Sequence, residues 1–252
     1  MIRVTRDASN RPRGFQRRAK TLSKAFHEAR RLDPSLSAAG FWAKVRHDLG
    51  EDVDALATVF RGKCAFCESR MAHVSRPHVE HYRPKGRQEF EDRMFDWENW
   101  LLSCGRCNES KWMHFPICAG EVPCLIDPTS DEPAEHLGFV NEFISGLTTR
   151  GDETVRILGL TRGPLEGEHA RWLMTIDLLL LLAVGPPPLR EARDLLVWCT
   201  CVEAPWTACT RSYLQERAPK QLRAAPTAIQ GEPVARIREL THAQRGRTSL
   251  LE

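Results

Sequence analysis

Two cysteine pairs and the segment between them hold the side chains best able to do chemistry. Cys64-Ala65-Phe66-Cys67 and Cys104-Gly105-Arg106-Cys107 are both C-x-x-C pairs. The two-residue spacing lets both thiolates of a pair turn toward one ion, and two pairs make the donor set of a tetrahedral Zn²⁺ site. A thioredoxin-like redox role needs a single pair at a strand–helix junction, so structural zinc is the expectation, with buried free thiols as the bland alternative. The 36 residues between the pairs exceed an ordinary finger loop, and something else must fold inside them. Cys118, Cys124, Cys199, Cys201 and Cys209 form no convincing ligand pairs and read as free thiols buried like small hydrophobes.

Inside the long loop, His78-Val79-Glu80-His81-Tyr82-Arg83-Pro84-Lys85 reads as a strand ending in a turn. Asp96-Trp97-Glu98-Asn99 then turns into a second short strand through Ser103. Asn108 follows the second cysteine pair, with Glu109-Ser110-Lys111 expected to open a helix. Strand, strand and helix carrying His81, Asn99 and Asn108 is the order a ββα-metal nuclease requires. Alone, each would be an ordinary satisfied loop residue; the order and the bracketing cysteines favor a site. His73, His78 and His114 read as solvent-facing. Trp97, Trp100 and Trp112 are expected to pack the small core around the zinc, with base stacking the lesser option.

At these residues the chain resembles the HNH endonucleases in their His-Asn-Asn form. It is closer still to the subgroup found as the small subunit of Septu-type antiphage systems, some of them encoded beside retrons. The resemblance is carried by Cys64 to Glu68, Val79 to Lys85, Trp97 to Cys104, Cys107 to Lys111 and Phe115-Pro116. It continues through Leu125-Ile126-Asp127-Pro128, Asp131-Glu132-Pro133 and Thr154 to Leu160. It implies that His81 is the general base that activates water, and that Glu80 and Asn108 are ligands of a catalytic Mg²⁺ or Mn²⁺. It implies too that Asn99 holds the His81 ring in its reactive tautomer, and that Lys111 contacts the scissile phosphate or neutralizes developing charge. The usual residue at the Glu80 station is Asp, so a bridging water between the longer Glu80 and the ion is an alternative to direct ligation. A partner ATPase is implied as well.

The elements that must position these groups are mostly helical. Residues 17–32 and 36–49 read as helices separated by Asp33-Pro34, since a residue before proline avoids helical dihedrals. Leu160, Leu165 to Val184 and Leu189 to Thr200 also look helical, with Gly185-Pro186-Pro187-Pro188 as a stiff break. The expected fold class is mostly α around a small ββα-metal (His-Me finger) core stapled by four cysteines. Four regions follow: a basic helical 1–60, the zinc-clamped core 61–128, a helical 129–217, and a flexible tail 218–252 with at most a short helix near Val234 to Leu240. The run Leu178 to Val184 is apolar all round, as for a buried helix or one covered by a partner ATPase or a second copy of the chain.

Composition bounds the rest. The net charge is only +3, but twelve Arg and Lys residues crowd the first fifty positions, which suits a nucleic-acid backbone or a solvated helix face. The longest apolar run is too short for a bilayer, and no secretory signal is seen, so a cytoplasmic location is expected. Two rival functions stand beside the nuclease: a catalytically silent zinc module that binds nucleic acid or protein, and a stand-alone restriction-type nuclease with its own reading domain. DNA and RNA present the same phosphodiester and are not separated by these residues.

Overall fold

The computed structural model describes residues 1–6, 10–71 and 78–218. His73 and the expected tail helix near residues 234–240 lie outside them. Most regular structure among the described residues is helical. The chain forms two compact units, Met1–Gly138 with Ile144–Arg162, and Phe139–Phe143 with Gly163–Glu252.

In the first unit, α1 runs from Phe15 to Leu32 and buries Phe15 and Phe26. It stops at Asp33, whose extended backbone (φ −131°, ψ 93°) is what the following proline demands. The expected second helix is shorter than 36–49: α2 covers Ala38–Val45, begun by Ser37, whose hydroxyl accepts the Gly40 N–H at 3.0 Å. A 3-10 turn, Arg46–Leu49, leads directly into α3, Gly50–Val59. Strand β1 (His78–His81) pairs antiparallel with β2 (Trp100–Ser103), His78 facing Ser103 and His81 facing Trp100. Helix α4 spans Gly105–Lys111, so it starts within the second cysteine pair rather than after it.

Around this ribbon the unit is held by buried polar contacts as much as by apolar ones. The Arg6 guanidinium donates to the carbonyls of Trp97 and Trp100. Asp52, almost fully buried, is paired with Arg18, whose Nε donates to it at 3.1 Å. Tyr82 donates its hydroxyl to the Leu125 carbonyl at 2.6 Å, and Arg150 reaches Asp131 at 2.6 Å and the Pro123 carbonyl at 2.9 Å. The Leu125-to-Pro128 and Asp131 segments are therefore scaffold. Arg150 belongs to α5 (Thr149–Leu158), which Thr148 caps and Gly159 ends in left-handed backbone.

Two cysteines depart from expectation here. Cys118 and Cys124 form a disulfide, their Cα atoms 5.1 Å apart, closing a small loop that also carries the Ile117–Pro123 bridge. The reading of free thiols failed because bridging depends on how the intervening turn folds back, which spacing does not reveal. Cys199 and Cys209 are buried free thiols as expected, and Cys201 is only half-buried.

The second unit is a helical cluster. Helix α6 (Gly163–Val184) and α7 (Arg190–Cys199) are separated by the glycine–proline break, and α8 (Thr207–Arg217) follows. Leu160, expected to be helical, lies in the turn that ends α5. Leu173, Ile176, Ala183, Ala192, Leu196, Cys199, Cys209 and Tyr213 form its core. The run Leu178 to Val184 is split by face: Ala183 is buried, Leu179 and Leu180 lean on the core, and Leu178, Leu181, Leu182 and Val184 are exposed. A two-stranded sheet pairs β3 (Leu137–Val140) with β4 (Phe143–Gly146). No helix among the described residues is long and apolar enough to cross a membrane.

Candidate functional site

The four cysteines converge. Their sulfurs all lie within 4.8 Å of one another, and Cys67 and Cys104 are 3.8 Å apart. A tetrahedron with Zn–S bonds near 2.3 Å has edges of about 3.8 Å, so the donor set fits one zinc ion. The first pair sits on a tight turn in which the Glu68 N–H reaches the Cys64 carbonyl at 3.0 Å, while Ala65 N–H ties it to Leu102 of β2 at 2.8 Å. The second pair caps and begins α4, whose first turn brings Cys107 back beside Cys104. Arg162 approaches the Cys107 sulfur at 3.6 Å and Ser69 the Cys67 sulfur at 3.3 Å, the second layer such a site needs.

Glu80 and His81 end β1, and both are buried. His81 Nε2 lies 2.9 Å from the Met94 carbonyl, which can only accept, so Nε2 carries the proton and Nδ1 the free lone pair. Burial, helped by the Lys85 ammonium, holds the imidazole pKa well below the ordinary histidine value, so the ring is neutral. Trp42 of α2 stands edge-on to the ring at 4.7 Å. Lys85 completes the enclosure, its Nζ 3.4 Å from Nδ1 and 5.6 Å from the Trp42 ring center.

Asn99 and Lys111 have hydrogen-bond partners other than those their expected roles call for. Asn99 does not touch His81: its oxygen accepts the Arg83 N–H at 2.7 Å, and its amide donates to the carbonyls of Arg83 and Arg93 at 3.0 and 3.1 Å. It pins the chain after β1, and the Met94 carbonyl fixes the tautomer instead. Lys111 is fully buried. Its ammonium donates to Glu80 Oε1 at 2.6 Å and to the His81 carbonyl at 2.8 Å. Burial raises the Glu80 pKa and lowers that of Lys111, each opposed by the other's charge across their short contact.

Asn108 and Glu80 do meet, the Asn108 amide reaching Glu80 Oε2. The Asn108 amide nitrogen on α4 thus donates to the Glu80 carboxylate on β1, which puts the two side chains in contact. Rotation of the Asn108 carboxamide would turn its oxygen toward Glu80, and one carboxylate and one amide oxygen suit a Mg²⁺ or Mn²⁺ that draws its remaining ligands from water and phosphate. With Oε1 held by Lys111, Oε2 and the Asn108 oxygen are the donors that could hold the ion.

Lys85 and Trp42 are the functional candidates sequence reasoning left without roles. Lys85 lies in a quoted motif but beyond a proline turn, where no periodicity predicts its direction; Trp42 is distant in sequence. Trp97 and Trp100 are core residues as expected, but Trp112 is 71% exposed. The basic N-terminal region also divides. Arg6, Arg18 and Arg30 are spent on Trp97 and Trp100, Asp52 and Glu91, whereas Arg11, Arg17 and Lys20 line an open cleft of about 670 Å³ at the start of α1.

No family model matches the chain. It is 32% identical over 151 residues to the Septu protein PtuB of Bacillus mycoides strain KBAB4, covering 49% of this chain and 51% of that protein. It is 33% identical over 109 residues to the Septu protein PtuB of Bacillus thuringiensis, covering 43% of this chain and 40% of that protein. A third similarity, 28% over 131 residues, is to the Septu protein PtuA of Bacillus mycoides, covering 42% of this chain but 18% of that protein. The chain thus spans about half or less of the curated relatives it matches.

Proposed function

We propose that the chain is a metal-dependent HNH endonuclease acting as the nuclease of a Septu-type antiphage defense complex. The observation that carries this reading is the meeting of Glu80, His81 and Asn108 from β1 and α4, directly beside a four-cysteine cluster. Cys64, Cys67, Cys104 and Cys107 hold a structural Zn²⁺. A divalent ion bound by Glu80 and Asn108 would supply charge stabilization at the phosphoryl and leaving oxygens. His81 accepts a proton from the attacking water at Nδ1, a role open to it because the Met94 carbonyl keeps the proton on Nε2 and burial keeps the ring neutral. Lys111 holds the Glu80 carboxylate in place, and Asn99 fixes the turn that carries Lys85. The kinship with both PtuA and PtuB supports a partner subunit, proposed to be an ATPase, and the exposed side of α6 is a candidate docking surface for it or for a second copy.

A non-catalytic zinc module is the competing reading, favored by one observation: Lys85 covers the free nitrogen of His81, so water reaches it only when Lys85 swings aside. Cleavage assays separate the two. His81→Ala should lower plasmid or RNA cleavage by about 10²–10⁴-fold, with zinc content unchanged and the chain still folded though less stable, since the ring is buried. Cleavage by this variant at the wild-type rate, or none by the wild type with Mg²⁺ or Mn²⁺ and its partner present, would leave the zinc module standing.

A further inference from the structure

Trp112 stands where the chain gains nothing by burying it. It directly follows Lys111, and its N–H bonds the Asn108 carbonyl at 2.9 Å, so its position is set by the helix that meets Glu80. The backbone there has φ 44° and ψ −120°, outside even the left-handed helical well and strained for any bulky side chain. Such strain persists where the surroundings impose it and gathers at binding sites. The indole it carries projects into solvent.

The neighbors give that indole a context. The Met113 sulfur lies 3.4 Å from where a Cβ on Gly86 would stand, which brings the turn after α4 against the residue following Lys85. Arg87 reaches the Phe115 carbonyl at 3.1 Å, closing the same side. The turn that carries the exposed indole therefore packs against the loop that carries Lys85 and Arg87, and Lys85 in turn reaches His81. An indole can stack on any base, whereas bases inside a duplex have both faces covered.

We infer that Trp112 is a stacking platform for an unpaired base of single-stranded nucleic acid, whose backbone then passes Lys85 on its way to His81. This rests on the nuclease reading above. Lys85 and Arg87, the latter shared with Glu89, favor a polyanion over an apolar protein partner on this loop.

The test measures binding of labeled single-stranded oligothymidylate, and of a duplex, in the His81→Ala background, where cleavage does not interfere. Trp112→Ala should weaken single-strand binding roughly tenfold or more. Trp112→Phe should stay within a few-fold, and duplex affinity should not change. Trp112→Gly, which relieves the backbone, should bind as poorly as Trp112→Ala yet melt at a higher temperature. Unchanged single-strand affinity in Trp112→Ala, while the parent binds, overturns the platform; if that variant instead loses self-association, the patch is a protein contact. A parent that binds no oligonucleotide, paired with a wild type that cuts none, removes the nuclease reading and the platform with it.

Discussion

The β1–β2 ribbon serves two clusters of opposite character. Near the end where His78 faces Ser103, four sulfurs face one another, and the Cys67–Cys104 approach is 3.8 Å. Near the other end, Glu80, Asn108, Lys111 and His81 are joined by contacts as short as 2.6 Å, each polar group answered by a neighbor. Thiols are weak hydrogen-bond formers, so the sulfur cluster gains most from a shared metal ion, which its donors could hold. The second cluster is self-complementary, and its groups must exchange partners to do chemistry. One is built to be held permanently, the other to be opened.

Removing zinc should break this comparison most severely if it is wrong. Binding of a structural zinc is worth on the order of 10 kcal/mol of folding free energy, so chelation under mildly denaturing conditions should unfold the first unit. The second unit has its own aliphatic core and should keep its helices, leaving a partial loss of far-ultraviolet ellipticity with full exposure of Trp97 and Trp100. A metal-free chain whose tryptophan emission and melting match the holo form would show that the sulfurs need no ligand.

The self-complementary cluster is probed by Lys111→Met. It leaves the Glu80 carboxylate buried without its cation, a defect of about 3–5 kcal/mol. Adding Glu80→Gln should recover most of that loss. Urea denaturation of the single and double variants reads the effect, and a single variant within experimental error of wild type would mean that the pair does not organize the site.

The smallest effect belongs to α6, and it sharpens the contrast between the units. Leu181 is 67% exposed and Leu178 is on the same open side, so Leu178→Asp or Leu181→Asp should alter stability by no more than about 0.5 kcal/mol. Leu180→Asp places a charge against the core and should destabilize strongly. If the open side docks a partner, the first two variants should fold normally and fail to co-purify with it. Unfolding by Leu181→Asp would instead mean that this side is packed in the chain itself.

Much of this was legible in the sequence because it depends on local spacing. The cysteine pairs and the short strands at His78–His81 and Trp100–Ser103 follow from residue order, whereas the pairing of Glu80 with Asn108 was implied by the family resemblance. What was not legible depends on direction. Asn99 and Lys111 have side chains that reach any of several partners, and the fold turns Asn99 toward Arg83 and Lys111 inward to Glu80. Trp112 looks like core by type, yet it follows the end of α4 in positive-φ backbone and is left exposed. Helix α8 was missed because Thr207-Ala208-Cys209-Thr210 gives no clear apolar period, and its stability comes from packing Cys209 and Tyr213 into the second core.

The 36 residues enclosed between the two cysteine pairs carry a consequence from polymer physics. Closing a loop has an entropic penalty that grows only logarithmically with its length, so doubling the enclosed segment adds about 0.6 kcal/mol. Insertions between the clamp halves, away from β1, β2 and the turns that carry Lys85 and Met94, are therefore thermodynamically tolerable. The same enclosure ties Glu80, inside the loop, to Asn108, one residue past its closing cysteine. Releasing the clamp lengthens the chain that must find its way back to that contact, and the outer cluster loses its register even though none of its own residues has changed.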